Sequence, residues 1–512
     1  MLYAALTKGS NSYAKFVVNA TELPIEDYYY DYIIIGGGTT ACPLAATLSR
    51  MYRVLLLERG GLPNIATLHE QGFMTTLLNA HPNPTYLSPH SPAPAQSFTS
   101  EDGVPNIRAY VLGGSSAINA GFYSRARQDF FTGFSSGLFW DIKLVNDSYQ
   151  WVEKDIVFKP TLKTWQSAFR DALLEADLIN FFNTGVGPYN GFALDHASGT
   201  KIGGSTFDNT GRRHSSADLL SNARAPNIIV GVYATVERIL LASSSSSKQF
   251  AIGVIYRDNM GRSHHAFVRQ HGEVILSAGA IGSPQLLMLS GIGHTPHLTS
   301  LGIPVAHHNP FVGQFLYDNP RNGIAIIPSL PLDHSLIQVV GITDSGYYIE
   351  SISNAIGTLP VASLIAKIAG PVSSGFLRLA STDVNTHPIV RFNYFNNKVD
   401  VERCVNGTRK IGEVLRSRAL NDFKFNNLFG GKDFRFVGPM LPIDQTNYFH
   451  MADFCQRTVS TIWHYHGGCV VGKVVDHDLK VFGIESLRVV DGSVFGVSPG
   501  TNPQATLMML GR

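Results

Sequence analysis

The sequence predicts a mixed α/β protein of two domains, one of which is built around a nucleotide-binding β-α-β unit. Three observations support this prediction. The chain has 512 residues, which is more than one ordinary core accommodates. Hydrophobic residues make up 44% and charged residues only 15%, a balance typical of a large buried interior. A short apolar run over residues 31–35 leads directly into three glycines.

The β-α-β unit lies near the start of the chain. Residues 31–35 predict a buried parallel strand, residues 43–52 a helix, and residues 54–57 a second buried strand that ends at Glu58. This order of elements, with glycines after the first strand and an acid after the second, is the context that a dinucleotide fingerprint requires. It predicts a site for NAD or FAD and does not choose between them.

The turn of this unit reads GGGTTA over residues 36–41. Gly36 allows the chain to turn tightly, and Gly38 allows the backbone to approach a pyrophosphate. Ala41 takes the place of the third glycine of the fingerprint. Glu58 follows Gly38 by twenty positions, where a carboxylate accepts hydrogen bonds from ribose hydroxyls. The helix that follows is expected to direct its N-terminal N–H groups at the phosphates.

The middle of the chain predicts further elements without a motif of their own. Residues 79–97 predict an irregular loop, and residues 151–175 predict mostly helix. Residues 228–239 and 251–257 predict strands, with the five serines at 243–247 as a flexible hairpin tip.

The second half combines strong and weak signals. Residues 273–277 predict a buried strand and residues 283–289 a helix. Residues 301–460 mix strands, loops and short helices and carry no motif. Strands return over residues 481–490, and a final helix is expected to start near Asn502.

The composition also argues against some partners. The 40 basic and 38 acidic residues give a net charge of +2 without a dense Lys and Arg block, so we expect no nucleic-acid partner. No run of about twenty apolar residues occurs, so we expect no membrane span. Residues 1–10 lack the features of a signal peptide, whereas sequons at Asn19, Asn146 and Asn406 favour secretion.

The four cysteines do not have the spacing of a zinc site, and we expect no metal. Cys42 is expected to be a small packing residue at the start of the nucleotide-binding helix. A bridge between two of the remaining three, Cys404, Cys455 and Cys469, stays open, and such a bridge would fit an exported protein.

Further segments resemble the glucose-methanol-choline (GMC) oxidoreductase family. The family's two signatures and its C-terminal pieces match VLGGSSAINAG at 111–121, GAIGSPQLLMLSGIG at 279–293, WHYHGGC at 463–469, VVDGS at 489–493 and PGTNPQ at 499–504. Within the family, WHYHGGC, GSTFDN and CPLAATL resemble the plant branch of HOTHEAD-like and mandelonitrile lyase-like proteins. SPGTNPQAT is similar to the HOTHEAD side, because mandelonitrile lyases carry a histidine where this chain has Asn502.

The resemblance implies a Rossmann-type FAD-binding domain interleaved with a substrate domain built on an antiparallel sheet. The FAD domain would comprise residues 28–140, 225–300 and 468–512. The substrate domain would comprise residues 141–224 and 301–467.

The resemblance also implies that the cofactor is FAD. Together with the glycines of the turn, the cofactor-binding residues would be Gly36, Gly38, Thr39, Thr40, Glu58, Arg59, Val111, Ser115, Asn119, Ala120, Gly121, Val236, Trp463, Asp491, Gly492, Gln504 and Ala505.

The catalytic residues implied by the resemblance are His464 and Asn502. A neutral imidazole with a pKa near 6.5 can take the proton of a substrate hydroxyl at physiological pH. Asn502 can donate an amide N–H to the substrate oxygen. A histidine in an apolar segment is often only a packed core residue, and this is the interpretation that we give to His466.

Two histidine pairs are interpreted without a function. His264-His265 and His307-His308 lack metal-ligand spacing or nearby acidic partners, so we expect them to be surface or loop residues.

The implied function is an FAD-dependent oxidoreductase acting on CH–OH groups, with a long-chain ω-hydroxy fatty acid as substrate and a separate electron acceptor. We expect a monomer, secreted as its relatives are. The alternative is an (R)-mandelonitrile lyase-like hydroxynitrile lyase with structural FAD, which Asn502 disfavours because an amide cannot carry charge. A flavin-free remnant that only binds a partner is a third interpretation, against which the fingerprint and His464 argue.

Overall fold

The computed structural model describes residues 12–23, 29–64, 66–85, 92–132, 137–176, 189–243, 248–356, 359–427, 430–500 and 502–512. In these ranges the chain forms ten α-helices: α1 Ala41–Leu48, α2 Gly72–Leu78, α3 Gln128–Phe131, α4 Ile142–Ile156, α5 Thr164–Glu175, α6 Gly279–Leu289, α7 Thr295–Ser300, α8 Lys398–Arg416, α9 Tyr448–Arg457 and α10 Gln504–Gly511.

The strands of the same ranges are β1 Val17–Asn19, β2 Tyr29–Ile35, β3 Val54–Glu58, β4 Ala95–Thr99, β5 Pro105–Ala109, β6 Phe122–Tyr123, β7 Tyr189–Phe192, β8 Gly199–Ile202, β9 Gly204–Ser205, β10 Ile228–Val232, β11 Thr235–Ser243, β12 Gln249–Arg257, β13 Ser263–Leu276, β14 Ile292–Gly293, β15 His307–His308, β16 Gln314–Tyr317, β17 Pro320–Ile327, β18 Val339–Ile342, β19 Tyr347–Ile356, β20 Leu359–Ile368, β21 Gly375–Arg378, β22 Ile389–Arg391, β23 Phe425–Asn426, β24 Lys432–Asp433, β25 Arg435–Val437, β26 Ser460–Thr461, β27 His466–Gly467, β28 Ile484–Glu485 and β29 Leu487–Val489.

A nine-stranded sheet carries the predicted nucleotide-binding unit. Its order is β1-β10-β3-β2-β13-β12-β11, with β28 beside β12 and β29 beside β13. Within this order, β1, β10, β3, β2 and β13 pair parallel to one another. The strands β13, β12 and β11 then pair antiparallel as a meander. All five residues of β3 are buried, as expected for a parallel strand that is covered on both faces. The predicted strand, glycine turn and second strand are confirmed, and the helix predicted over 43–52 is present as α1, which begins at Ala41 and ends at Leu48.

An eight-stranded sheet is formed mainly by the part of the chain that carries no motif. Its order is β25-β17-β20-β19-β18-β8-β7, with β26 beside β17, and its pairing is antiparallel except between β7 and β8. This mixed α/β fold with an antiparallel sheet confirms the predicted fold class. The domain boundaries stay predictions.

The eight-stranded sheet has two different faces because side chains alternate along each strand. Ile324 of β17, Ile349 of β19 and Leu364 of β20 belong to an apolar core that also includes residues of α5 and α8. The opposite face carries Arg321 of β17, which lies beside Lys367 of β20 in the register of the two strands. This face lines the candidate site.

A disulfide joins Cys404 of α8 to Cys455 of α9, with the Cα atoms 6.2 Å apart. It answers the question that the sequence left open. Cys42 and Cys469 are free and buried, and Cys42 lies in α1 as the predicted packing residue.

Three predicted elements need correction. The helix predicted over 151–175 is two helices, α4 and α5, because Pro160 between them has no N–H for a continuous helix. The strand predicted over 228–239 ends at Val232, and β11 begins at Thr235 after Tyr233, whose φ is +60°. The loop predicted over 79–97 gives way to β4 at Ala95.

The predicted serine-rich hairpin tip lies mostly outside the described residues. Its flanking strands β11 and β12 pair antiparallel, with Ser243 opposite Gln249. Among the described residues, no helix has the length and apolar character needed to cross a membrane.

Candidate active site

One cavity of about 790 Å3 is lined by residues of both large sheets. All but one of the predicted site residues line this cavity. The residues that do so are Gly36, Gly38, Thr39, Thr40, Glu58, Arg59, Val111, Ser115, Asn119, Ala120, Gly121, Val236, Trp463, His464, Asp491, Gly492, Asn502 and Gln504.

Ala505 is the predicted residue that does not line the cavity. Its side chain packs in an apolar cluster with Tyr123 and Met508. Gln504 precedes it on α10 and lines the cavity. Because successive helix residues point about 100° apart, the two cannot face the same way. The Ala505 side chain is therefore part of the core, and the cofactor contact predicted for this residue stays a prediction.

The glycine turn forms a cradle that has room for a ligand only at one position. Gly36 has φ +93°, and a Cβ there would lie 2.7 Å from the carbonyl oxygen of Ser277. A Cβ on Gly114 would lie 2.7 Å from Cα of Gly38. A Cβ on Gly38 itself would meet only that Ser277 oxygen, at 3.7 Å, among the described residues. The space beside Gly38 thus opens into the cavity.

Glu58 ends β3 and is buried beside this turn. Its Oε2 accepts a hydrogen bond from the N–H of Gly37, and its Oε1 accepts one from the N–H of Gly60, both at 2.7 Å. Burial raises the pKa of Glu58, and the two N–H donors oppose that shift. Each oxygen keeps a lone pair for a ribose hydroxyl, so the predicted role is compatible with the structure.

Two arginines line the cavity near Glu58 in the sequence or in space: Arg59, which follows Glu58, and Arg108, which lies close to Arg59 and which the sequence analysis missed. Nη2 of Arg59 donates to the carbonyl oxygen of Ala109 (3.0 Å), and Nε of Arg108 donates to Oε1 of Gln96 (2.8 Å). Nη2 of Arg108 is buried without a hydrogen-bond partner in the described part of the chain. Arg108 could have been found from the sequence, because it occupies an inward position of β5, next to the inward Asn106.

The C-terminal pieces tie the cavity wall together. Oδ2 of Asp491 accepts from Oγ of Ser283 (2.6 Å) and from the N–H of Gly279 (2.9 Å), which links the C-terminal loop to α6. Oε1 of Gln504 accepts from Nδ2 of Asn119 (2.9 Å). Asp491 therefore joins the C-terminal loop to the second signature segment, and Gln504 joins α10 to the first.

These features fit FAD. The glycine turn leaves room beside Gly38, and the first turn of α1 presents N–H groups to a pyrophosphate. Glu58 is the last residue of β3, and Arg59 follows it directly. The buried Nη2 of Arg108 and Nε1 of Trp463 lack partners among the described residues, and both residues line the cavity. A polar ligand in the cavity would supply acceptors that these donors lack.

His464 lines the same cavity and lies in the segment between β26 and β27. Its backbone N–H donates to Oδ1 of Asp318 (2.8 Å), which holds the main chain in place. Its Nδ1 lies 3.1 Å from Nδ2 of Asn319, and its Nε2 lies 3.4 Å from Nδ2 of Asn502. The two predicted catalytic residues are thus neighbours, and Asn319 is a contact that the sequence analysis missed.

The surroundings of His464 favour its neutral form. Burial holds the pKa of His464 well below 6.5, and the positive charges of Lys367 and Arg321 lower it further, as does His466. The two amide groups nearest the ring nitrogens, those of Asn319 and Asn502, are uncharged and so cannot stabilise the imidazolium as a carboxylate would. An imidazole kept neutral in this way can accept a proton at physiological pH.

Trp463 precedes His464 in a strained backbone conformation. Its φ is +59°, in the left-handed region that bulky residues rarely adopt. The guanidinium carbon of Arg321 lies 4.9 Å from the centre of its ring. The combination fixes an aromatic wall directly beside the candidate base.

The wall opposite the nucleotide-binding turn is apolar. The inward face of the eight-stranded sheet contributes Gly323, Ala325, Ile352, Ser363 and Ile365, because these positions alternate with the core-facing ones. The same region is closed by Ile337, Val437, Val459 and Ile462.

The other histidines have the following outcomes. His466 is buried and stacks on Tyr317 with ring centres 5.1 Å apart, so its interpretation as a core residue is confirmed. The prediction that His264 has no acidic partner is wrong, because its Nε2 lies 2.9 Å from Oδ2 of Asp258. All four histidines of the two pairs lie in strands, β13 and β15, and not in loops, whereas the expected surface position is confirmed for His265 and His308, which are exposed. No cluster of metal-ligating side chains was found among the described residues.

Two family models, both described as GMC oxidoreductase, match residues 30–321 and 371–511. Three relatives cover nearly the whole chain. The "(R)-mandelonitrile lyase-like" protein of Arabidopsis thaliana is 61% identical over 98% of this chain and 91% of its own length. "Sinalpyl alcohol oxidase Nec3" of Nesocodon mauritianus is 46% identical over 98% and 90%. "Protein HOTHEAD" of Arabidopsis thaliana is 44% identical over 95% and 87%.

The fold is also similar to that of a solved structure, a formate oxidase from Aspergillus oryzae RIB40. The TM-score is 0.78 with 21% sequence identity, over 95% of this chain and 97% of the other. At this identity the likeness concerns the fold alone.

Proposed function

Since the chain belongs to the GMC oxidoreductase family, we propose that it oxidises a long, apolar primary alcohol of the ω-hydroxy fatty acid kind. The enzyme is an FAD-dependent oxidoreductase that acts on CH–OH groups. The observation that carries the proposal is the contact between a neutral, buried His464 and a donor amide on Asn502 at the end of an apolar cavity.

FAD supplies the acceptor for the hydride of the alcohol when it is bound. The turn from Gly36 to Thr40, with Glu58 and Arg59, would hold its adenosine and pyrophosphate. The loop from Val111 to Gly121 and the segments around Trp463 and Gly492 would hold its flavin end.

The chemistry assigned to the chain itself is the transfer of one proton. A departing hydride leaves a carbonyl only if the hydroxyl proton also leaves, and His464 is the group that takes it. Nδ2 of Asn502 donates to the alcohol oxygen and orients the C–H bond. Because the pKa of His464 is held well below 6.5, the base form is present throughout the physiological pH range.

The apolar wall supports the choice of a long-chain substrate. Side chains such as Ile337, Ile352 and Ile365 contact a hydrocarbon well and offer few hydrogen bonds to a sugar. Arg457 also lines the cavity; its side chain is 71% exposed and forms a surface ion pair with Asp453 (2.6 Å), from which a substrate carboxylate could draw it. A guanidinium at the exposed edge of an apolar cavity suits the carboxylate at the far end of an ω-hydroxy fatty acid.

Export to an oxidising compartment is part of this proposal. The Cys404–Cys455 disulfide supports it, since such bonds persist mainly outside the cytosol. Asn146 and Asn406, two of the three predicted glycan acceptors, are exposed.

The alternative function is cleavage of a cyanohydrin such as mandelonitrile. The positive charges of Lys367 and Arg321 near His464 favour it, because they would stabilise a departing cyanide. Asn502 disfavours it, because it cannot share a proton with His464. Glu350 also neutralises Lys367 by a direct ion pair.

The two functions are separated by comparing the wild-type enzyme with an Asn502→His variant. We expect the wild type to oxidise long-chain alcohols and to release cyanide from mandelonitrile slowly or not at all. The variant is expected to release cyanide at least about 10-fold faster, because a second imidazole can carry the proton and the charge that the lyase reaction needs. Rapid cyanide release by the wild type, without alcohol oxidation, would overturn the proposed function.

A further inference from the structure

Behind Asn502 lies a buried ion pair that belongs to neither predicted site. Lys367 of β20 and Glu350 of β19 lie on the cavity-facing side of the eight-stranded sheet, since Lys367 pairs with Tyr348 two residues from Glu350. Nζ of Lys367 donates to Oε1 of Glu350, and both side chains are fully buried. Oε2 of Glu350 has no hydrogen-bond partner in the described part of the chain.

The second bond of Lys367 reaches the catalytic residue. Its Nζ donates to Oδ1 of Asn502 at 3.0 Å. An ammonium group can only donate, so the atom that faces it must be the oxygen of the amide. The NH2 group of Asn502 is thereby directed the other way, and it lies 3.4 Å from Nε2 of His464. Without Lys367, either end of the amide could face His464.

We propose that the Lys367–Glu350 pair is a positioning device that fixes the side-chain amide of Asn502 with its NH2 group toward His464 and the substrate oxygen. This inference rests on the proposed function for its chemical consequence. With the oxygen locked onto Lys367, Asn502 presents a donor where the alcohol oxygen is to be held. A turned amide would present an acceptor there and would also stabilise the imidazolium of His464.

The charges around His464 agree with this role. Lys367, Arg321 and His466 face the ring and lower its pKa, and Asp318 accepts the backbone N–H. Glu350 lies beyond Lys367 and offsets its charge, so the pair is neutral as a unit. A lysine alone would add an unpaired buried charge beside the base, whereas the pair supplies the directed N–H without that cost.

A stability role alone does not account for the pair. Replacing a buried ion pair with apolar residues often leaves the free energy of unfolding unchanged. A gain in stability therefore does not explain why two charged side chains are buried in this sheet. The bond to Asn502 provides a reason, because it sets a property of the active site that packing alone cannot set: which end of an amide faces the base.

The experiment is a mutant cycle in the FAD-loaded enzyme. Three variants are compared with the wild type. The first, called the pair replacement, combines Lys367→Met with Glu350→Gln; the second is Asn502→Ala; and the third carries all three changes. Replacing both members of the pair avoids leaving one charge buried alone. The rate of flavin reduction by a long-chain ω-hydroxy acid is measured by anaerobic stopped flow, and thermal unfolding and flavin content are measured for each variant. Lys424→Met is the control, since Lys424 is also buried but, among the described residues, donates hydrogen bonds only to Ser417 and Asn421.

We expect the pair replacement to slow flavin reduction by about 10- to 100-fold when Asn502 is present. When Asn502 is alanine, the same replacement should change the rate less than about 3-fold, because the positioned group is already absent. Lys424→Met should stay within about 3-fold of the wild type. Equal losses in both backgrounds, or no loss when Asn502 is present, would overturn the inference.

A titration of His464 decides the inference even if no alcohol reduces the flavin, an outcome that would contradict only the proposed function. The pKa of His464 is followed by NMR with carbon-13-labelled histidine and assigned by the signal lost in His464→Ala. Pair replacement should raise this pKa toward 6.5 when Asn502 is present, since the freed amide oxygen can accept from the imidazolium. It should raise the pKa less when Asn502 is alanine. An equal rise in both backgrounds would overturn the positioning role.

Discussion

Replacement of His464 by alanine is expected to slow flavin reduction by alcohol about 100-fold or more while FAD stays bound. The methyl group cannot take the hydroxyl proton, and the side chains that contact the ring nitrogens in the described part of the chain, Asn319 and Asn502, are not bases. Stopped-flow reduction under anaerobic conditions measures the rate, and the visible spectrum measures the bound flavin.

His466 offers the matched control, because it is a second buried histidine two residues away that does not line the cavity. We expect His466→Gln to change the rate less than about 3-fold. If His464→Ala reduced the flavin as fast as the wild type, His464 would not be the base. If both variants were equally slow, the loss would reflect packing of this segment.

Replacement of Gly38 by valine is expected to weaken FAD binding by about 10- to 100-fold without loss of the fold. The space beside Gly38 is open to the cavity, and a Cβ there would meet only the carbonyl oxygen of Ser277, at 3.7 Å, among the described residues. The added side chain would therefore occupy the approach that the pyrophosphate requires. Flavin absorbance per protein and thermal unfolding of the flavin-free form are the two measurements.

Gly37→Ala is the matched comparison, and we expect it to affect mainly thermal unfolding of the flavin-free protein, whereas Gly38→Val affects mainly the flavin content. A Cβ on Gly37 would lie 2.6 Å from Cδ1 of Leu112 and 3.0 Å from Cβ of Glu58, so Gly37→Ala should lower the unfolding temperature of the flavin-free protein. If Gly38→Val kept its full flavin content, the turn would not be the pyrophosphate site.

The nucleotide-binding half could be predicted from sequence because its signals are local. A parallel strand, a glycine turn and an acid at the end of the next strand follow each other within thirty residues, and each residue type has one physical reason to be there. The predicted turn requires a positive φ at Gly36, and the predicted ribose contact requires Glu58 at the end of β3. The structure has both features. The sequence could not show which face of α10 meets the cavity, and the side chain of Ala505 packs on the other face, in an apolar cluster.

The positioning of the catalytic end could not be predicted in the same way. Lys367, Glu350 and Asn319 lie in or beside strands that carry no motif, and only the register of β17, β19 and β20 brings them to His464. Register between strands far apart in sequence depends on the whole sheet, not on a local pattern. The bond between Lys367 and Asn502 spans 135 positions of the chain.

The error on His264 has a similar origin. Asp258 precedes it by six positions, but the turn between β12 and β13 folds the chain back and places the two side chains 2.9 Å apart. The pairing depends on this turn, which the sequence analysis did not predict.

The most direct test of the central claim is the visible spectrum of the purified protein, recorded anaerobically before and after the addition of a long-chain ω-hydroxy fatty acid. We predict that the flavin bands are present and that they bleach on addition, as expected of an alcohol oxidoreductase. Flavin bands that persist with every alcohol, while mandelonitrile is cleaved to release cyanide, would contradict the account and establish the lyase instead.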